Sequence, residues 1–210
     1  MTTMTASPHQ RRKRDEPLNR NAERDPLSSN ELSQLDAAYE RSAKLRRAAR
    51  VALLSGWSLG IFAALTLPFA FFSMQSLLMG IALAAITRNE FRGHRLLLDF
   101  DESGPGVLAK NQVILMGTLV VYSAWNIYSA LHGPTAIGTQ LNAIPEMTTS
   151  LGNVEDLYVT IAIVVYETLI VSSVLFQGLH AWYYFSRLKF VKDHLARTPD
   201  WVLELQRLRR

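Results

Sequence analysis

The sequence predicts an all-α integral membrane protein with four transmembrane helices and cytoplasmic amphipathic helices at its N- and C-terminal ends. Three observations predict it. Charge is segregated: of 22 Lys and Arg and 18 Asp and Glu in 210 residues, the stretches 51–87, 111–145 and 157–186 hold one, Glu167. A soluble helix or strand keeps a charged face in water, so the pattern excludes a plain globular enzyme, a disordered chain and a secreted scaffold. The bases are also asymmetric. Eleven precede residue 51, four fall in 88–110, seven follow 186, and none lies between 132 and 157. Finally, at about 1.5 Å per residue roughly 20 residues cross the hydrocarbon core, so 51–87 is too long for one span and too short for three.

Taken in order, residues 1–27 read as a disordered basic tail around Arg11-Arg12-Lys13-Arg14. The Arg11-Arg12 pair stands too far from an apolar run to serve as an export signal. Residues 28–50 read as a cytoplasmic amphipathic helix. A capping box of Ser28 and Glu31 opens it, Leu32, Leu35, Tyr39 and Leu45 stripe it, and it runs on into the first span.

The transmembrane hairpin occupies 49–88, with span one at about 49–67, a break near Pro68, and span two at about 71–88. Small residues line both arms: Gly56, Gly60 and Ala64 on the first, Ser76, Gly80 and Ala84 on the second. Hydrophobic burial does not drive helices together in lipid, so close backbone packing must do so. Depth counted from the charged ends brings Gly56 and Gly60 near Ala84, Gly80 and Ser76, with homodimerisation through one GxxxG stripe as the alternative use. A re-entrant hairpin that dips into the bilayer would leave the same charges on the same side.

Residues 89–111 read as a mixed-charge cytoplasmic loop. Asp99, Asp101 and Glu102 could hold a divalent cation, but a solvated interfacial segment accounts for them better. Span three, 112–131, is closed by His132-Gly133-Pro134, and an external loop, 132–157, follows it. Span four, 158–182, ends in Trp182-Tyr183-Tyr184, aromatics suited to the headgroup level. The C-terminal segment 183–210 carries a short helix. Thr198, Pro199 and Asp200 start it, and the stripe Trp201, Leu205 and Leu208 lies on the inner leaflet.

The positive-inside rule orients the chain. With four spans, all 22 bases face the cytoplasm and both termini lie inside an inner or plasma membrane. Anionic inner-leaflet lipids are then expected neighbours, and a second copy or another membrane protein the expected macromolecular partner. The basic tail lacks aromatics for stacking bases, so nucleic acid is not an expected partner.

The candidate intramembrane polar site is Glu167 with Tyr122, Asn126 and Thr118. Thr118, Tyr122, Asn126 and Ser129 share one helical face of span three, and Glu167 lies at the depth of Tyr122. An ionised carboxylate facing lipid would cost roughly 2.5–3.5 kcal/mol, so a neutral acid or one held by donors is expected. It is either a strut between spans three and four or a protonatable or cation site. His94 and His180 suggest a haem pair only weakly. No cysteine is present, and no catalytic motif, cofactor or metal site is expected. The functional expectation is a non-enzymatic interaction or assembly subunit. The alternative is a small oligomeric transporter or channel subunit using Glu167.

Overall fold

The structure, a computed structural model, describes residues 27–133 and 154–208; the predicted basic tail and most of the external loop lie outside the described residues. The Ser28 N–H donates to Glu31 Oε2 at 2.8 Å and the Glu31 N–H to Ser28 Oγ at 3.3 Å, satisfying donors that a helix start leaves unpaired. From this box α1 (Ser29–Thr66) runs unbroken through the polar 28–50 segment into the apolar one.

Pro68 does not reverse the chain. It lies in the first turn of a 3-10 helix (Leu67–Phe71), where its missing N–H costs no bond, and the turn back comes at Phe72 and Ser73. Ser73 then caps α2 (Met74–Leu98) by accepting from the Ser76 N–H at 3.4 Å.

The longer ascending arm changes which residues meet. A Cβ on Gly56 would stand 3.2 Å from Phe91 Cε1 and 3.3 Å from Glu90 Cβ, and one on Gly60 would stand 3.4 Å from Thr87 Cγ2. These partners lie beyond the predicted Ala84, Gly80 and Ser76. A Cβ on Gly80 would meet nothing within 4 Å, Ala84 is exposed, and Ala63 rather than Ala64 is buried. Thr87 and Phe91 are each about 7 residues, nearly two turns, past Gly80 and Ala84, so they share a helix face with them.

The predicted 89–111 loop is helical apart from its turn. α2 continues to Leu98, and α3 (Ser103–His132) begins after a short turn. In that turn the Asp101 N–H reaches the Leu96 carbonyl at 2.9 Å and the Phe100 N–H the Leu97 carbonyl at 3.3 Å, which is the Schellman pattern. Phe100 occupies the left-handed position glycine usually takes, with φ 54°. Its ring is buried against His194, centroids 4.6 Å apart, and that burial offsets the strained backbone.

α4 (Val154–Arg197) carries span four well past Trp182 into a long polar segment, and α5 (Asp200–Leu208) folds back beside it. Helices α1 to α4 pack as an antiparallel ring in which α2 contacts α1 and α3, and α4 contacts α3 and α1. Three helical segments are long and apolar enough to cross a membrane: α1 with its 3-10 extension, α3 and α4. α2 is not among them. Its uncharged run from Met74 to Thr87 is about 14 residues, roughly 21 Å, against a core of roughly 30 Å.

The tightest packing is below this apolar zone. Leu45, Ala48, Ala49 and Ala52 of α1, Leu97 of α2, Leu108 of α3, Tyr184 and Val191 of α4 and Leu203 of α5 form one buried cluster. The α5 face differs from the predicted one. Val202 and Leu203 are buried in the bundle, while Leu205 and Leu208 of the predicted stripe are exposed and Trp201 is half-buried. Both sets are apolar, and the neighbouring helices take the set that reaches their core.

The α2–α3 contact is closest at Gly93, where a Cβ would fall 2.4 Å from Leu108 Cγ and Cδ2. Gly93→Ala is expected to cost about 1–3 kcal/mol through overpacking, despite a gain of about 1 kcal/mol in helix propensity. Gly106→Ala, where a Cβ meets nothing within 4 Å, keeps the propensity gain alone. Thermal unfolding of the two purified variants in detergent should therefore move in opposite directions.

Candidate functional site

The predicted intramembrane site is not assembled within the chain. On α3, Thr118 Oγ1 donates to the Ile114 carbonyl at 2.9 Å and Asn126 Nδ2 to the Tyr122 carbonyl at 2.7 Å, so both side chains are bonded to their own helix. Tyr122 packs edge-on against Tyr166 of α4, ring centroids 6.0 Å apart. Tyr166 therefore faces α3, and Glu167, about 100° further around α4, does not. Glu167 is exposed and has no hydrogen bond or ion pair among the described residues. The structure likewise keeps the histidines apart. His94 Nδ1 lies 2.7 Å from the Ala49 carbonyl on α1, whereas His180 is exposed near the Tyr184 ring.

A different polar cluster is enclosed where α2, α3 and α4 enter the lower bundle. Glu90 is fully buried and Asn111 and Gln112 nearly so. Asn111 Nδ2 donates to Glu90 Oε1 at 3.0 Å and to the Ile86 carbonyl at 3.0 Å, and Gln112 Nε2 donates to the same Glu90 Oε1 at 2.5 Å. Two amides thus serve one carboxyl oxygen. The other, Glu90 Oε2, has no partner, and neither does Asn111 Oδ1 or the buried Tyr184 hydroxyl on α4. Among the described residues no Lys, Arg or His pairs with Glu90.

The cluster follows from local helix geometry. Ile86, Glu90, Gly93 and Leu97 are the buried residues that succeed one another along α2, three or four apart, so they form one face. Gly93 lets α3 approach, and that approach brings Asn111 and Gln112 onto the carboxyl. Burial pushes the Glu90 carboxyl up from its ordinary value to about 7, against the opposing pull of the two amides. Sequence reading missed this group because Glu90 sits in a run of charges, Arg88 to Arg95, that looks solvated. The 3–4 spacing from Ile86 to Leu97 was the available signal.

A second buried group ties the C-terminal helix down. His194 Nε2 lies 3.1 Å from Gln206 Oε1 of α5, and burial lowers its basicity. At the rim, Lys192 and Glu102 approach to 3.9 Å, but both are exposed and such a pair contributes little. The cluster around Glu90 can hold a proton, a water or a small cation. Among the described residues no group of three metal-binding side chains occurs. No known family, curated protein or solved structure matches this chain.

The raised Glu90 acidity has a definite sign. Its folded value, about 7, lies above the ordinary 4.5, so the stability that the neutral acid contributes is fully present below about 4.5 and is lost as pH rises through about 7. Unfolding temperature in detergent, with choline as the only added cation, should fall between about pH 4.5 and 7 by this mechanism and level off above it. Glu90→Gln should flatten that fall; an equal slope in both proteins would assign it to another group.

Proposed function

We propose that this chain is a non-enzymatic interaction or assembly subunit of an inner or plasma membrane, and that it docks another membrane-embedded chain on the α4 face around Glu167. One observation carries the proposal: Glu167 is exposed and unpartnered on the most apolar of the helices long enough to cross a membrane. It lies about 11 residues, or roughly 16 Å, from Asp156, near the middle of the bilayer. A carboxyl there is costly when it faces lipid, and a donor on a neighbouring helix removes that cost. Val164, Val171 and Val174, which with Glu167 recur every three or four residues along the helix, are exposed beside it.

The topology that accompanies this reading has four passes with both termini cytoplasmic. The α1–α2 hairpin enters and returns, so its charged ends share a side, and the short apolar run of α2 is met by local thinning of the bilayer. The absence of any Lys or Arg from 132–157 supports the orientation. Within the hairpin, Gly56 and Gly60 serve the α1–α2 contact rather than a dimer. Anionic inner-leaflet lipid is the proposed neighbour of the basic side.

The test is site-specific photo-crosslinking from Val164 or Val171 in native membranes. A protein adduct is expected there, weakened about fivefold in Glu167→Leu, the equivalent of about 1 kcal/mol for one interhelical hydrogen bond. Adducts to lipid alone would overturn the docking proposal. An adduct consisting only of a second copy, together with proton-driven flux abolished by Glu167→Gln, would favour a small oligomeric transporter instead.

A further inference from the structure

The Glu90 cluster presents oxygen atoms in an unusual state. Glu90 Oε2, Asn111 Oδ1 and the Tyr184 hydroxyl oxygen come from three helices, all three atoms are shielded from solvent, and all three lack a hydrogen-bond partner. Buried polar atoms seldom remain without partners, because each forfeits the hydrogen bond that water would otherwise supply. Asn111 is bonded to the same carboxyl, and Tyr184 lies within electrostatic range of it.

The orphan set is made of oxygens, while the amide nitrogens are already spent on Glu90 Oε1 and the Ile86 carbonyl. An oxygen-only set with one carboxylate suits a hard cation. Charge balance selects its valence: one carboxylate in a low-dielectric bundle is neutralised by one positive charge, and a divalent ion would leave an uncompensated charge buried. We propose that Glu90 Oε2, Asn111 Oδ1 and Tyr184 form an internal site for a small monovalent cation, in which Na+ and a proton compete for the carboxylate.

The surrounding groups leave this competition to Glu90. From α1 it meets Gly56, and from α3 Asn111 and Gln112, with Lys110 exposed. From α4, Tyr184 is within electrostatic range of it; the Arg187 guanidinium, one turn further along α4, lies over the Tyr183 ring, 4.1 Å from its centroid, with its Nε buried and unpartnered. On α2 itself, Arg88 and Arg92 are exposed and His94 is engaged with the Ala49 carbonyl.

The experiment is thermal unfolding of the full chain in detergent, with NaCl replacing choline chloride at matched ionic strength. Na+ is expected to raise the unfolding temperature at alkaline pH, where the carboxyl has lost its proton, and to have little effect at acid pH. The half-saturating Na+ concentration should rise by up to about tenfold for each unit the pH is lowered below the titration of the site. Glu90→Gln, neutral and of the same shape, should abolish the Na+ response. Tyr184→Phe keeps the carboxyl and the ring while removing one ligand, so it should weaken the response at least severalfold without removing the pH dependence. Identical unfolding in NaCl and choline chloride at alkaline pH would overturn the site and leave only a proton. A Na+ response unchanged in Tyr184→Phe would overturn the ligand set. Neither result bears on crosslinking at α4, so this site and the docking proposal fail separately.

Discussion

Lipid removes the hydrophobic drive between apolar helices, and the rest of this structure is arranged around that loss. The exposed side chains of α4 along its apolar stretch, Val164, Val165, Val171, Leu175 and Phe176 among them, gain nothing from one another in hydrocarbon. The large apolar side chains that bury fully instead sit where the helices continue past the apolar zone, at Leu45, Leu97, Leu108, Tyr184 and Val191. There water is the competitor and burial is worth about 25 cal/mol per Å². The inner bundle sets the register, and the apolar arms extend from it. The smaller cluster of Ala63, Leu83, Ile86 and Leu115 continues the packing a short way toward the membrane.

Two acids record the two solvents. Glu90 lies inside the bundle, with two amides on one oxygen and none on the other, and its burial is tolerated because the helices around it are held by the core. Glu167 lies on the outside of α4 with no group to meet it among the described residues. The first is a question the chain answers partly by itself. The second needs something outside the chain, which is why the functional reading attaches to it.

What could be read from the sequence follows the same division. The segregation of charge and the helical class were legible, because apolar length and periodicity are local properties. Ser28 and Glu31 announced a helix start for the same reason, their bond spanning one turn. The face that each residue presents was not legible. Depth counting brings Tyr122 and Glu167 level, yet Tyr166 takes the contact, and only the packing of α3 on α4 decides between neighbours 100° apart. Charges were misleading at Arg88 to Arg95. They end a hydropathy window, but a helix does not end where its hydropathy does, and the buried face of α2 runs on through Glu90, Gly93 and Leu97.

The placement of Glu90 also bears on how the two halves of the ring are joined. α2 packs extensively on both α1 and α3 and α4 adds a smaller contact with α1, so α2 is the main link between the α1–α2 hairpin and the α3–α4 pair among the described residues. Its contacts with α3 are tight at the base, where Gly93 admits Leu108 and Glu90 takes two amides from α3. Further up, a cavity of about 410 Å³ opens between the helices, lined by residues that include Leu78, Met79 and Ala82 of α2 and Gly117, Val121 and Tyr122 of α3. The carboxyl thus sits at the tight end of the α2–α3 contact, on the seam that joins the hairpin to the α3–α4 pair.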